Sequence, residues 1–320
     1  MEEISKQIHQ FGIVPVVKID RPADALPLVQ ALAAGGLPLA EITFRTEAAE
    51  EAIRLVAQQL PDVLLGAGTV LTTQQVDRAL AAGARFIVSP GLNPDLVCYC
   101  QQRGVAVFPG CSSPSDIEQA LTLGLQVVKF FPAEVAGGLA MIRALSGPYG
   151  MMRFIPTGGI SEANLGDYLD HPQVLACGGT WMVQDALVKT GRFDEVERLT
   201  CAAVAKMLGF RLDHIGINYT EEAAARQDTQ ALAALFALPQ QELENSFFAG
   251  AGLELMKRPG RGANGHIAIA TRSLDRAYAY LTARGHRFVE DSKKYDAKGR
   301  LRFIYLEEEF GGFAIHLVNG

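Results

Sequence analysis

The chain reads as an α/β protein. A (β/α)8 TIM barrel fills residues 1–208, and a smaller α+β domain of paired βαβββ modules follows over 211–320. Three observations predict this. Strand-like apolar runs alternate with helix-like stretches eight times in about 200 residues, the small end of the barrel range. From Arg211 the pattern changes to hairpins with fewer helices. That second part then repeats itself in two units of about fifty residues each.

After an amphipathic segment at 2–11, the strand-like runs fall at 13–19, 39–44, 64–69, 86–90, 106–109, 127–131, 153–156 and 174–177. Helix-like stretches lie between them, as at 47–60, 73–82, 95–103 and 114–123. Gly35-Gly36, Gly83, Gly104 and Gly124 stand near helix ends, where glycine takes the left-handed cap. A doubly wound open sheet is the alternative, but no Gly-x-Gly-x-x-Gly follows the first strand. The barrel closes with a helix at 193–208. In the second part, strands are expected at 212–219, 266–271, 286–291, 303–308 and 313–318. Helices are expected at 221–236 and 274–284, and a hairpin at 247–256.

Composition excludes several roles. The 320 residues carry 29 basic and 35 acidic side chains, a net charge of -6. That balance argues against nucleic acid or an anionic membrane surface as partner. No apolar stretch reaches the roughly 20 residues of a membrane helix. Met1-Glu2-Glu3 lacks a signal-peptide pattern. The cysteines, Cys98, Cys100, Cys111, Cys177 and Cys201, are odd in number and form no Cys-x-x-Cys pair. Reduced thiols in a cytoplasmic protein are expected.

Lys129 carries the chemistry. It stands inside the apolar run Val127-Val128-Lys129-Phe130-Phe131, where a charge is costly. Burial disfavours the charged form of an amine, and a neutral amine attacks ketones to form Schiff bases. Alternation puts Glu41, Thr43 and Arg45 on one face of the second strand, with Ile42 and Phe44 on the other. The polar triple would point into the barrel towards the end that carries active sites in this fold. A buried Glu41–Lys129 ion pair of purely structural purpose is the bland alternative. Thr157-Gly158-Gly159-Ile160 and Gly178-Gly179-Thr180 read as turns after the seventh and eighth strands, the usual place for a phosphate.

These residues resemble a known family. Glu41-x-x-x-Arg45-Thr46-Glu47, Gly66-Ala67-Gly68-Thr69-Val70, Ser89-Pro90-Gly91, Lys129-Phe130-Phe131-Pro132-Ala133-Glu134 and Thr157-Gly158-Gly159-Ile160 look like the class I aldolases that cleave 2-keto-3-deoxy-6-phosphogluconate (KDPG) and 4-hydroxy-2-oxoglutarate (KHG). The resemblance implies that Lys129 forms the Schiff base and Glu41 is the general acid/base. Arg45 and Thr69 would hold the pyruvate carboxylate, while Pro90 and Phe131 shape the pocket. Gly159, Gly178, Gly179 and Thr180 would meet the substrate's distal phosphate, and Thr157 and Gly158 would also bind substrate. The family usually has serine where Thr180 stands, and the hydroxyl is kept. No cofactor is implied for the aldolase. A homo-oligomer, a trimer, is.

The second domain brings four further donors. His214 and His266 open the two repeats, and Glu254 and His316 close them. Isoleucine or leucine flanks each in opposite phase, so all four would leave one face of the sheet. Imidazole and carboxylate suit a divalent first-row metal. Leu253-Glu254-Leu255, Gly265-His266-Ile267-Ala268-Ile269 and Phe313-Ala314-Ile315-His316-Leu317 resemble the glyoxalase / vicinal-oxygen-chelate family, whose last ligand is commonly glutamate. His9, His171 and His286 read as surface or packing residues. The loop Arg258-Pro259-Gly260-Arg261-Gly262 reads as a solvated turn, since Walker spacing is absent.

The expected function is a cytoplasmic lyase of sugar-acid catabolism that releases pyruvate from small 2-keto acids. The alternative is a keto-acid-binding sensor with a degenerate barrel, its C-terminal domain a structural interaction module.

Overall fold

The computed structural model describes residues 2–320. The chain divides into two compact units, Met1–Met207 and Leu208–Gly320.

In the first unit the strands are β1 (Ile13–Val17), β2 (Leu39–Thr43), β3 (Leu64–Gly68), β4 (Phe86–Ser89), β5 (Ala106–Cys111), β6 (Val127–Phe130), β7 (Arg153–Pro156) and β8 (Cys177–Gly179). The helices are α1 (Glu2–Phe11), α2 (Ala25–Ala34), α3 (Ala49–Gln59), α4 (Thr73–Ala82), α5 (Pro94–Gln102), α6 (Pro114–Thr122), α7 (Gly138–Ser146), α8 (Leu165–Leu169), α9 (Asp185–Lys189) and α10 (Phe193–Leu208). The strands pair in the order β7-β6-β5-β4-β3-β2-β1-β8. A parallel bridge from Thr157 to Gly178 joins the two ends. This is an eight-stranded barrel ringed by helices.

Local signals explain the helix ends. Thr72 and Gln75 form a capping box at the start of α4, and Ser113 and Asp116 form another at α6. Asn93 accepts from the Asp95 and Leu96 amides ahead of α5. Each of these oxygens satisfies a helix-end N–H that has no partner in the helix itself. Gly83 ends α4 in the left-handed region at φ 109°.

The strands are buried along their whole length in β1 to β5. Parallel strands covered on both faces need such continuous apolar runs. Val14, Leu39, Leu64, Phe86, Phe108 and Leu175 form one cluster with Ile8, Ile4 and Phe11 of α1. Four of these, Val14, Leu39, Leu64 and Phe86, lie in the first two residues of their strands, so α1 and the strand starts fill one end of the barrel with hydrocarbon. Polar side chains are left to the other end.

The eighth strand lies further along the chain than expected. Val174 makes only a single bridge, to Phe154, and the paired residues are Cys177, Gly178 and Gly179. The aliphatic run gave the stronger strand signal. The glycines pair with Val14 and Pro15 because no side chain fits there. A Cβ on Gly178 would lie 2.2 Å from the Thr157 hydroxyl, and one on Gly179 would lie 1.7 Å from the Trp181 ring. So the double glycine is strand rather than a turn after it.

The second unit contains β9 (Arg211–Ile217), α11 (Glu222–Phe236), β10 (Gln240–Glu242), β11 (Ser246–Ala249), β12 (Leu253–Met256), β13 (Gly265–Thr271), α12 (Leu274–Ala283), β14 (Phe288–Tyr295), β15 (Leu301–Phe310) and β16 (Phe313–Asn319). The sheet order is β10-β11-β12-β9-β13-β16-β15-β14. The two βαβββ halves therefore run outward from an antiparallel β9–β13 seam. Two strands differ from expectation. The polar β10 has no alternation to announce it. Strand β14 continues through the charged run to Tyr295, as an outermost strand tolerates charge. Among the described residues no helix is long and apolar enough to cross a membrane.

Candidate functional sites

Strand ends bring the barrel residues together. A cavity of about 260 Å³ is lined by Glu41, Thr43, Arg45, Thr69, Pro90, Lys129, Phe131, Thr157, Gly158, Gly159, Gly178, Gly179 and Thr180, together with Val16 and Ile160. Every barrel residue singled out from the sequence is among them. Val16 and Ile160 were not, since an aliphatic residue at a strand end carries no distinguishing signal.

Inside the cavity the Lys129 amine donates to Glu41 Oε1 at 3.2 Å. The side chains are only 8% and 4% exposed. The amine also stands 5.4 Å from the centre of the Phe131 ring. Thr43 donates to the Val17 carbonyl at 2.9 Å and accepts from Arg45 Nε at 3.1 Å. That bond fixes the root of the Arg45 guanidinium at the cavity edge. Thr69 follows β3 with φ 56°, the left-handed region that residues with a Cβ seldom enter. Such strained residues cluster at ligand sites.

Gly158 and Gly159 both have positive φ, 98° and 82°. Their loop is held by Ala133 N to Thr157 O at 2.8 Å and Glu134 N to Gly158 O at 3.1 Å. A Cβ on Gly159 would sit 2.4 Å from Glu134 Cγ. The Glu134 carboxylate accepts from the buried Tyr168 hydroxyl. Burial, and then that carboxylate, raise the Tyr168 phenol pKa. The end of the lysine motif thus packs beneath the glycine loop.

Gly68 is the residue whose role the sequence hid. A Cβ there would lie 2.2 Å from Glu41 Oε1 and 2.7 Å from its Cγ. Glycine inside a strand often marks such a close approach. Gly68→Ala is expected to displace the Glu41 carboxylate while leaving the fold intact, because the clash meets a movable side chain. Aldol turnover should fall by about 100-fold, the size of a 1 Å misplacement. Circular dichroism checks the fold. Wild-type turnover in a folded variant would show that the position of Glu41 is immaterial.

In the second unit the four donors stand on adjacent strands β12, β9, β13 and β16. Register explains how they meet. Glu254 and His266 both pair with Gly216, two residues beyond His214. His214 and His316 both pair with Ala268, two residues beyond His266. The halves thus place a small residue between each pair of donors. A Cβ on Gly216 would lie 2.1 Å from the His266 ring. Glu254 Oε2 lies 2.9 Å from His266 Nε2 and 3.1 Å from His214 Nε2. The two histidine nitrogens are 3.2 Å apart. His316 joins them, with one ligand nitrogen from each of the three rings within a 4.8 Å group. Ser246 donates to Glu254 Oε1 at 2.6 Å, and Asp213 meets His214 Nδ1 at 2.8 Å.

Burial works against ionised Glu254, yet bonds from His214, His266 and Ser246 hold its carboxyl well below the usual range. Burial likewise opposes a charged His214 ring, but Glu254 and Asp213 keep its pKa raised. Burial, then the neighbouring His266 and His214, push His316 down to about 3. Its Nδ1 is buried with no hydrogen-bond partner. An orphaned imidazole nitrogen among three other donors fits a first-row divalent metal.

The remaining histidines make local bonds. His9 meets the Leu175 carbonyl at 3.2 Å, His171 Nδ1 accepts from Gln173 N at 3.3 Å, and His286 pairs with Glu308 at 3.0 Å. All five cysteines are free thiols. Arg258, Pro259, Gly260 and Arg261 are exposed, as expected of a solvated turn, and the Arg261 guanidinium stands 5.3 Å from the centre of the Tyr305 ring.

Comparison with known proteins places the first unit. A family model described as KDPG and KHG aldolase matches residues 4–199. The 2-dehydro-3-deoxy-phosphogluconate aldolase of Treponema pallidum is 50% identical over 200 residues, 62% of this chain and 95% of that protein. The KDPG aldolase of Legionella pneumophila, solved with pyruvate captured as a covalent carbinolamine intermediate, is 40% identical with a TM-score of 0.59, over 61% of this chain and 96% of that one. The 2-keto-3-deoxy-6-phosphogluconate aldolase of Zymomonas mobilis, solved with 3-phosphoglycerate, is 38% identical with a TM-score of 0.60, over 64% and 96%. Through residues 4–199 the chain belongs to the KDPG and KHG aldolase family, and it is a class I carbon–carbon lyase.

Proposed function

We propose that the barrel cleaves 2-keto-3-deoxy-6-phosphogluconate to pyruvate and glyceraldehyde 3-phosphate, and/or 4-hydroxy-2-oxoglutarate to pyruvate and glyoxylate. The observation that carries this is the Lys129 amine 3.2 Å from Glu41 within the cavity. The carbinolamine in the Legionella relative supports the same covalent route here.

Lys129 attacks the substrate ketone, and loss of water gives a protonated imine. Glu41 takes the proton of the 4-hydroxyl, directly or through water, as the C3–C4 bond breaks. The bonding electrons flow into the imine and leave an enamine. Glu41 returns a proton to the former C3, and hydrolysis frees pyruvate and the amine. Arg45 offers planar donors to the carboxylate, with Thr69 beside it. Pro90 and Phe131 wall the reacting carbons. The positive-φ loop at Gly158 and Gly159, with Gly178, Gly179 and Thr180, receives the distal phosphate. None of these steps calls on a metal.

We further propose that the second unit is a glyoxalase/vicinal-oxygen-chelate-like domain. His214, Glu254, His266 and His316 would hold one divalent first-row metal, which supplies Lewis acidity when bound. The paired register of the two halves supports this reading.

Incubation with pyruvate and borohydride should fix one pyruvate on Lys129, read by intact mass and peptide mapping. Cleavage that survives Lys129→Ala ends the Schiff-base reading. The phosphate loop predicts a higher kcat/KM for the phosphorylated substrate than for 4-hydroxy-2-oxoglutarate. Equal or reversed specificity constants would remove that role from Gly158, Gly159 and Thr180. Untagged protein should carry about one equivalent of metal by elemental analysis, lost in His266→Ala, while chelation leaves aldol cleavage unchanged. Metal-free wild type that cannot be reloaded with zinc, nickel, cobalt, iron or manganese would refute the metal centre.

A further inference from the structure

We infer that the second unit takes a small organic acid of the 2-oxo- or 2-hydroxycarboxylate class, with Arg261 and Lys294 facing its negative charge beside the donor cluster. This rests on the metal centre proposed above and names what that centre receives.

The first observation is an aromatic wall. Tyr305 pairs in register with His316, so its ring lies on the donor face, 5.1 Å from the imidazole between centres. Phe303, two residues away on the same face, approaches to 4.5 Å. Phe248 stands 5.5 Å from His214 on the other side. Three aromatic rings thus stand around the donors, a surround suited to a flat carbon skeleton.

The second observation is charge. Lys294 Nζ lies 4.9 Å from the centre of Phe303, and Arg261 Cζ lies 5.3 Å from that of Tyr305. These are the two rings packed on His316. Both cations are exposed, and neither has a carboxylate partner among the described residues. The carboxylates near the donors are already engaged. Glu254 is bonded by His214, His266 and Ser246, and Asp213 by His214. Two unpaired cations beside a metal centre leave the local charge positive, which an anionic ligand would balance.

The third step is coordination chemistry. A first-row ion held by His214, Glu254, His266 and His316 would act as a Lewis acid towards ligand oxygens at any open positions it kept. Two oxygens on neighbouring carbons, one of them carboxylate, can fill them while the charge meets Arg261 and Lys294. Pyruvate, which the proposed barrel reaction releases, has that form. The pairing assigns the two units to one class of compound.

Cobalt-loaded full-length protein tests this, because the visible spectrum of the ion reports only on its own ligands. Pyruvate and lactate should perturb the spectrum with saturation. Hydroxyacetone keeps the neighbouring oxygens without the charge, and inorganic phosphate keeps the charge without them. Both should bind at least about tenfold more weakly than pyruvate, since a hydrogen bond to a charged group contributes that much. The double variant Arg261→Gln, Lys294→Gln should take up cobalt normally, lose about tenfold in pyruvate affinity, and bind hydroxyacetone as before. Hydroxyacetone or phosphate binding as tightly as pyruvate overturns the inference, as does an unchanged pyruvate affinity in the double variant. A spectrum that pyruvate does not move overturns it while leaving the metal centre standing. Failure of wild type to take up cobalt or any other first-row ion removes both.

Discussion

The proposed chemistry of the barrel rests on one contact, the amine of Lys129 against the carboxylate of Glu41. The two residues stand on β6 and β2, which are not neighbours in the sheet. They meet at 3.2 Å because the sheet curls back until Thr157 bridges to Gly178. Closure of the barrel therefore creates the pair. Hydrocarbon fills the strand starts, so the charges are confined to the strand ends, and Gly68 leaves the volume that Glu41 occupies. Buried ion pairs are a poor way to gain stability, since desolvation offsets most of the attraction. A pair kept at a cavity wall beside Arg45 and a strained Thr69 is better understood as a reacting pair.

Much of this was legible in the sequence, for definite reasons. Lys129 was conspicuous because a charge inside an apolar strand contradicts the pattern around it. Alternation placed Glu41, Thr43 and Arg45 on one face, and Arg45 does bond to Thr43 there. The phase of the aliphatic neighbours put His214, Glu254, His266 and His316 on one side of a sheet. What escaped notice was mostly space. Gly68 and Gly216 act by lacking a Cβ next to Glu41 and His266, and an empty volume leaves no periodic trace. The position of β8 was misjudged for the same reason, because Gly178 and Gly179 have no side chains to alternate. Phe303 and Tyr305 looked like ordinary strand residues until their register against β16 was known.

The second unit shows how a repeat can build a site that neither half holds alone. Each half supplies a histidine on its first strand and a donor on its closing strand, and the antiparallel β9–β13 seam brings the two sets together. Gly216 and Ala268 occupy equivalent places, each between two donors. Cross-strand partners share a face, so any Cβ at Gly216, or a side chain larger than methyl at Ala268, would push the donors apart. The requirement falls on register and side-chain volume, and only secondarily on the donors themselves.

The halves differ at one donor. Where the first half closes with Glu254, the second closes with His316. A carboxylate brings a negative charge to a divalent ion, and an imidazole brings none. Three neutral rings and one carboxylate would therefore leave the proposed divalent ion with a net positive charge that a second glutamate would have cancelled. Arg261 and Lys294 add further positive charge over the two rings packed against His316 itself. Charge missing from the donor set and cations without partners lie on the same side of the sheet. In the proposed complex both would be balanced by one negatively charged ligand, and a neutral one would balance neither.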